Sequence, residues 1–137
     1  MERVIFACVH NAGRSQMAAA FFSQMADADR VQAISAGTQP ADRVHPTVVD
    51  MMREVGIDLS AKRPQLLTED LARGAALLVT MGCEEACPYV PGLERQDWAL
   101  ADPKGRAPED VREIRDDIRQ RVSALVDSRG WRRTRSA

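Results

Sequence analysis

The chain is predicted to be α/β: a single domain in which a four-stranded parallel sheet carries helices on both faces. Two observations predict it. Short apolar runs alternate with segments of helical periodicity along the length of the chain, and strands separated by helices form parallel sheets with right-handed crossovers. The run Ala75-Ala76-Leu77-Leu78-Val79-Thr80-Met81 is also apolar almost throughout, as a parallel strand buried on both faces must be. At 137 residues the chain fits one domain that buries about two-thirds of its unfolded surface. The domain is expected over residues 1–129, and the basic, polar segment 130–137 reads as a flexible C-terminal tail.

Residues 3–8 read as a buried strand, and 14–27 as the helix that follows it, in which Gln16-Met17-Ala18-Ala19-Ala20-Phe21-Phe22 is a strong helix former with an apolar face. The run Val31-Gln32-Ala33-Ile34-Ser35-Ala36 is a second strand, closed by Gly37. A helix from about His45 to Val55 has Val48, Val49, Met52 and Val55 at helical spacing, and Gly56 ends it. Beyond the polar, proline-broken stretch 58–65, Thr68 caps a short helix over 69–73. The apolar run 75–81 is the third strand, and a weaker one is expected near Asp97-Trp98-Ala99-Leu100. The last helix spans 108–128, with Val111, Ile114, Ile118, Val122 and Leu125 in one stripe.

The first strand runs into Cys8-Val9-His10-Asn11-Ala12-Gly13-Arg14-Ser15, a cysteine and an arginine on either side of a five-residue loop that enters a helix. A helix N-terminus offers unpaired N–H groups and the positive end of a dipole, which together favour a bound anion. The same field favours Cys8 as a nucleophile. Arg14 presents a planar fork of donors able to hold two oxygens of a phosphate-like group, and Gly13 permits the close backbone approach of an anion nest. The Ser15 hydroxyl has two local roles open to it: capping the helix or bonding the Cys8 sulfur. His10 lies within the loop and either adds a donor or points to solvent, while His45, before Pro46, reads as a capping or surface residue.

Two further signals follow later strands. Cys83 and Cys87 are separated by three residues, one turn apart if that segment is helical and close enough to cross-link after modest unwinding. Two unrelated thiols or half of a zinc site are the other readings, though only His10 and His45 remain to complete a metal set. Asp102 precedes Pro103, which biases it toward an extended backbone and aims its carboxyl. Beside an anion, such a group can hold a proton for a departing oxygen. In parallel sheets ligands gather at the carboxyl ends of the strands, where Cys8, Gly82-Cys83 and Asp102 converge.

Composition narrows the classes. The net charge is −1 with both signs interspersed, so neither nucleic acid nor a membrane is an expected partner. No signal-peptide core or spanning segment is read, and three cysteines without an export signal suit a cytoplasmic protein with reactive thiols better than a disulfide framework. Nothing in the sequence calls for a cofactor.

On these residues the chain resembles the arsenate reductases built on the low-molecular-weight protein tyrosine phosphatase fold, over nearly its whole length. The resemblance is carried by Cys8 through Met17, Ser35-Ala36-Gly37, Glu54-Val55-Gly56-Ile57-Asp58, Val79-Thr80-Met81 leading to Cys87-Pro88, and Asp102-Pro103. It implies that Cys8 attacks arsenate while Val9, His10, Asn11, Ala12, Gly13, Arg14 and Ser15 bind its oxygens, with phosphate or sulfate as competing oxyanions, and that Asp102 protonates the departing oxygen. It further implies that Cys83 resolves the Cys8–arsenic adduct and Cys87 takes over the disulfide for thioredoxin, with mycothiol and mycoredoxin, or glutaredoxin, as alternative reductants. The cysteine pair is more closely spaced than in the better-known three-cysteine members. Ala19 stands where the potassium-binding members carry a glutamate, so no metal is expected.

The alternative is a low-molecular-weight protein tyrosine phosphatase, which shares the nucleophile, the arginine and the acid. Gln16 where phosphatases have proline, Lys104 where they have an aromatic, and the Cys83/Cys87 pair argue against it. A non-catalytic oxyanion or redox sensor would share the loop but oxidise once and stop.

Overall fold

The structure is a computed structural model, described here for residues 1–82 and 90–134. Its elements run β1 (Glu2–Cys8), α1 (Arg14–Met25), β2 (Val31–Gly37), α2 (Pro46–Arg53), α3 (Glu69–Arg73), β3 (Leu77–Thr80), β4 (Glu94–Asp97) and α4 (Pro108–Ser128). The four strands form one sheet in the order β2-β1-β3-β4, with every neighbouring pair parallel. Cys8 lies opposite Gly37, Ala7 opposite Thr80, and Thr80 opposite Asp97. The carboxyl ends of all four strands therefore come out in one row, and the loops that leave them share one edge.

The alternation of side chains along β1 divides the core. Val4 and Phe6 join a cluster with Phe21 and Phe22 of α1, Met52 of α2, and Ile118 and Val122 of α4, whereas Ile5 and Ala7 face a smaller cluster with Ala36, Leu67, Leu78 and Ala72 of α3. Helices thus cover both faces, as expected. Phe22 is packed between Phe6 and Trp131, with ring centroids 5.7 and 5.8 Å away. Burying a large apolar side chain of this kind contributes roughly 1.5–3 kcal/mol. The predicted stripe of α4 is buried from Val111 to Leu125, and the Thr68 hydroxyl caps α3 by accepting from the Leu71 N–H at 3.0 Å.

Glu54, just past α2, fixes that helix to α4. Its carboxylate accepts from Arg112 Nε and Nη2 at 2.8 and 2.7 Å and from Arg115 Nη1 at 2.9 Å. These two guanidiniums hold the Glu54 carboxyl well below the usual carboxylate range, at about 2. The consequence reaches the site, because α2 begins beside the loop that follows β1.

Two expectations are corrected. The fourth strand is Glu94–Asp97, earlier than the segment around Trp98. It is an edge strand of charged and polar residues, ERQD, so no apolar run marked it, and the apolar Trp98 that drew attention lies just beyond, packed on Phe6 at 5.9 Å. The segment from Gly130 is not free as far as Arg133. Trp131 is buried, its indole N–H donates to Glu2 Oε2 at 2.8 Å, and the main chain bonds Asp27 and Met25 through Trp131 O and Arg133 N. An aromatic side chain with a place in the core outweighed the basic, polar character of its neighbours.

Candidate active site

The loop between β1 and α1 has a fixed polarity. The carbonyls of Cys8, Val9, His10, Ala12 and Gly13 accept from the N–H groups of Thr38, Gln39, Ala41, His45 and Met17, and the Asn11 carbonyl accepts from Gln16 Nε2. Every carbonyl from residue 8 to 13 is therefore committed outside the loop. Among the described residues, no N–H of residues 10–13 has a hydrogen-bond acceptor. With the unpaired first N–H groups of α1, these donors form a concave set at the end of the strand that carries Cys8, which is an anion nest.

Asn11 closes the loop. It is fully buried at φ 51°, a left-handed backbone that asparagine tolerates better than most residues. Its Oδ1 accepts from the Gln65 N–H at 2.9 Å and from Gln16 Nε2 at 3.3 Å, while its Nδ2 donates to Ser15 Oγ at 2.7 Å. An amide nitrogen only donates. The Ser15 hydroxyl, having accepted that bond, still has its proton to offer to Cys8 Sγ, 2.9 Å away, when that sulfur is a thiolate. Of the two roles open to Ser15, the structure selects the bond to sulfur, and α1, with Gly13 at its N-cap, has no side-chain cap. Hydrogen bonds to charged groups are worth about 1.5–3 kcal/mol. Ser15→Ala is accordingly expected to slow alkylation of Cys8 by iodoacetamide at neutral pH about tenfold or more. An unchanged rate would remove Ser15 from the site.

Arg14 is buried with its guanidinium between two loops. Nη1 donates to Leu100 O at 3.2 Å, and Nη2 lies 3.8 Å from Asp102 Oδ2. On its other side is Gly82, where a Cβ would come within 2.3 Å of Nη1. Asp102 is half-exposed and held in a turn, its Oδ1 accepting from the Lys104 N–H at 3.0 Å and its carbonyl from Arg106 Nε at 2.8 Å. Pro103 packs against the loop itself, since a Cβ on Gly13 would lie 2.7 Å from its Cγ. The structure thus brings Cys8, Arg14, Ser15 and Asp102 to one edge of the sheet. His10 stands at the rim, its Nδ1 3.1 Å from Gln39 O. Cys83 and Cys87 lie outside the described residues.

Four residues at this site were not read from the sequence in these roles. Gly37 has no room for a side chain, a Cβ there falling 2.6 Å from Val9 O and 2.9 Å from Asn11 N. Gly82 makes way for Arg14. Gln65 supplies the N–H that fixes Asn11, and His45 supplies one to Ala12. The signal available for the glycines was their position at strand ends, where the backbone must pass close to a functional loop.

Residues 3–133 match the family described as low molecular weight phosphotyrosine protein phosphatase. The chain belongs to that family. Within it, a Halobacterium salinarum protein named "Putative arsenate reductase" is 44% identical over 126 residues, 89% of each chain. A Synechocystis protein named glutaredoxin arsenate reductase is 34% identical over 92% of this chain and 97% of its own. Among solved structures, a thioredoxin-dependent arsenate reductase of Corynebacterium glutamicum superposes with a TM-score of 0.81 at 39% identity. The match covers 93% of this chain but 61% of that one, so this chain spans about three-fifths of that protein's length. The α/β architecture expected from the sequence is that of this phosphatase family. Among the described residues no helix is long and apolar enough to cross a membrane.

Proposed function

We propose that the protein reduces arsenate to arsenite, with Cys8 as nucleophile and thioredoxin as the terminal reductant. The observation that carries the oxyanion chemistry is the polarity of the loop, in which all carbonyls of residues 8–13 are bonded away while, among the described residues, the N–H groups of residues 10–13, directly after Cys8, have no acceptor. Relatives named for arsenate reduction support the choice of substrate, and the Corynebacterium structure supports the choice of reductant.

In the first step the Cys8 thiolate attacks arsenic, an S–As bond forms, and an As–O bond breaks, the oxygen leaving with a proton from Asp102. The loop N–H groups and Arg14 hold the remaining oxygens. Cys83 then attacks Cys8 Sγ as a thiolate. A disulfide forms as the S–As bond breaks, and the electron pair passes to arsenic, so arsenic(V) becomes arsenic(III) and two thiols become one disulfide. Cys87 exchanges with that disulfide, freeing Cys8 and leaving Cys83–Cys87 for a dithiol reductant. Such a relay needs a reducing compartment, and the proposal therefore includes a cytoplasmic location.

The phosphatase reading shares the first step, and the family's description favours it. It differs in the fate of the adduct, which water hydrolyses without electron transfer. Arsenite release with thioredoxin, mycothiol with mycoredoxin, and glutaredoxin with glutathione supplied separately therefore decides both questions. Sustained release with thioredoxin is the expected result, and phosphate-ester hydrolysis without arsenite under every reductant would overturn the proposal. Peptide mapping after one equivalent of arsenate tests the relay: Cys87→Ser should accumulate a Cys8–Cys83 disulfide, and Cys83→Ser should stall before arsenite release. Normal cycling of both variants would show that an external thiol attacks the adduct directly.

A further inference from the structure

His45 is the residue at this site that the proposed mechanism leaves unused. Its backbone N–H donates to Ala12 O at 2.9 Å, so it is bound to the anion loop itself. Its ring edge, Cδ2, lies 3.6 Å from where a Cβ on Gly13 would be, beside the Pro103 ring that approaches the same point. Pro46 holds the His45 backbone extended, at φ −58° and ψ 132°, and α2 behind it is tied to α4 through Glu54. The imidazole thus lies beside Gly13 of the loop that would carry the oxyanion, where Pro103, next to Asp102, also packs. It caps no helix, and among the described residues its ring nitrogens have no hydrogen-bond partner.

We infer that His45 is a positioning residue that takes a proton from solvent when an oxyanion enters the loop and returns it when the loop empties. The charged and titratable groups acting on the ring are Asp102, His10 and Lys104. Burial is the largest influence and pushes the His45 imidazolium below its ordinary range; Asp102 pulls it up, and His10 and Lys104 push it further down. In the empty protein the ring is therefore neutral at neutral pH. An arriving dianion reverses the balance by adding negative charge next to Gly13, and opposite charge favours the protonated ring. By linkage, an anion that promotes protonation of His45 must bind more tightly where His45 is already protonated. The loaded site gains a cation beside Gly13 that balances part of the charge of the bound oxyanion.

This inference rests on the oxyanion reading of the loop, and the test separates the two. Sulfate is the probe, because it keeps its double charge between about pH 5 and 8, the range in which histidine titrates. Calorimetric sulfate affinity of the wild-type protein is expected to be about fivefold or more tighter at the acid end, the lower end of ordinary coupling between sites. His45→Asn should flatten this slope. The chain has only two histidines, so the ring resonance missing from the His45→Asn spectrum is that of His45, and it can be followed by NMR in the wild-type protein. That resonance should titrate at higher pH with sulfate than without. A pH slope unchanged in His45→Asn, or a resonance indifferent to sulfate, overturns the role of His45. Absence of sulfate binding at any pH would instead sink the oxyanion site.

Discussion

Replacing Cys8 by serine is expected to abolish arsenite formation altogether while leaving oxyanion binding no weaker than in the wild type. Arsenic is reduced only if the atom bonded to it can leave as half of a disulfide, and an oxygen cannot do so. Binding depends on other groups. The N–H donors of the loop are held by carbonyl bonds to Thr38, Gln39, Ala41, His45, Met17 and Gln16, none of which involves the Cys8 side chain. A serine hydroxyl is smaller than a thiol, fits the buried position, and keeps a hydrogen-bond partner in Ser15. Arsenite release and calorimetric arsenate affinity, measured on the same preparation, check the two halves. Turnover above the blank in Cys8→Ser would mean that another thiol attacks the oxyanion.

What the sequence disclosed of this site is what lies along one stretch of chain. Cys8, Gly13, Arg14 and Ser15 are close in sequence, and the strand-loop-helix pattern around them is enough to aim them at one point. Phe6, Phe21 and Phe22 were legible for the same reason, since alternation and helical spacing are local properties. The residues that were missed act across the fold. Gly37 matters because Val9 and Asn11 lie against it, Gly82 because Arg14 does, and His45 because it pairs with Ala12. Each contact joins segments that the chain brings together only once the parallel sheet has formed. The fourth strand escaped for a different physical reason: at the sheet edge Glu94–Asp97 gains pairing without burial, so its polar residues carry no strand pattern. The proposed roles of Cys83 and Cys87 rest on their spacing and on the family, because those residues lie outside the described part of the chain.

Asp102→Asn is expected to lower the single-turnover rate of Cys8–arsenic bond formation by about 10²–10⁴-fold, the usual contribution of a general acid, with oxyanion affinity changed little. The structure makes this substitution a clean test of proton transfer. Asp102 Oδ1 holds its turn by accepting the Lys104 N–H, a bond that an asparagine oxygen makes equally well, and the Asp102 carbonyl keeps its bond from Arg106. The ion pair with Arg14 is lost, but at 3.8 Å and with the carboxylate half-exposed it is worth little, about 0–1 kcal/mol. Arg14 also keeps its anchor on Leu100 O, so its guanidinium stays in place for the oxyanion. What asparagine cannot do is give up a proton to the departing oxygen. Rapid-quench measurement with arsenate saturating reads the bond-forming step directly, and arsenate affinity of the Cys8→Ser/Asp102→Asn double variant reads binding. A single-turnover rate equal to that of the wild type would show that water or another residue protonates the leaving group, and would leave Asp102 as a turn residue beside the site.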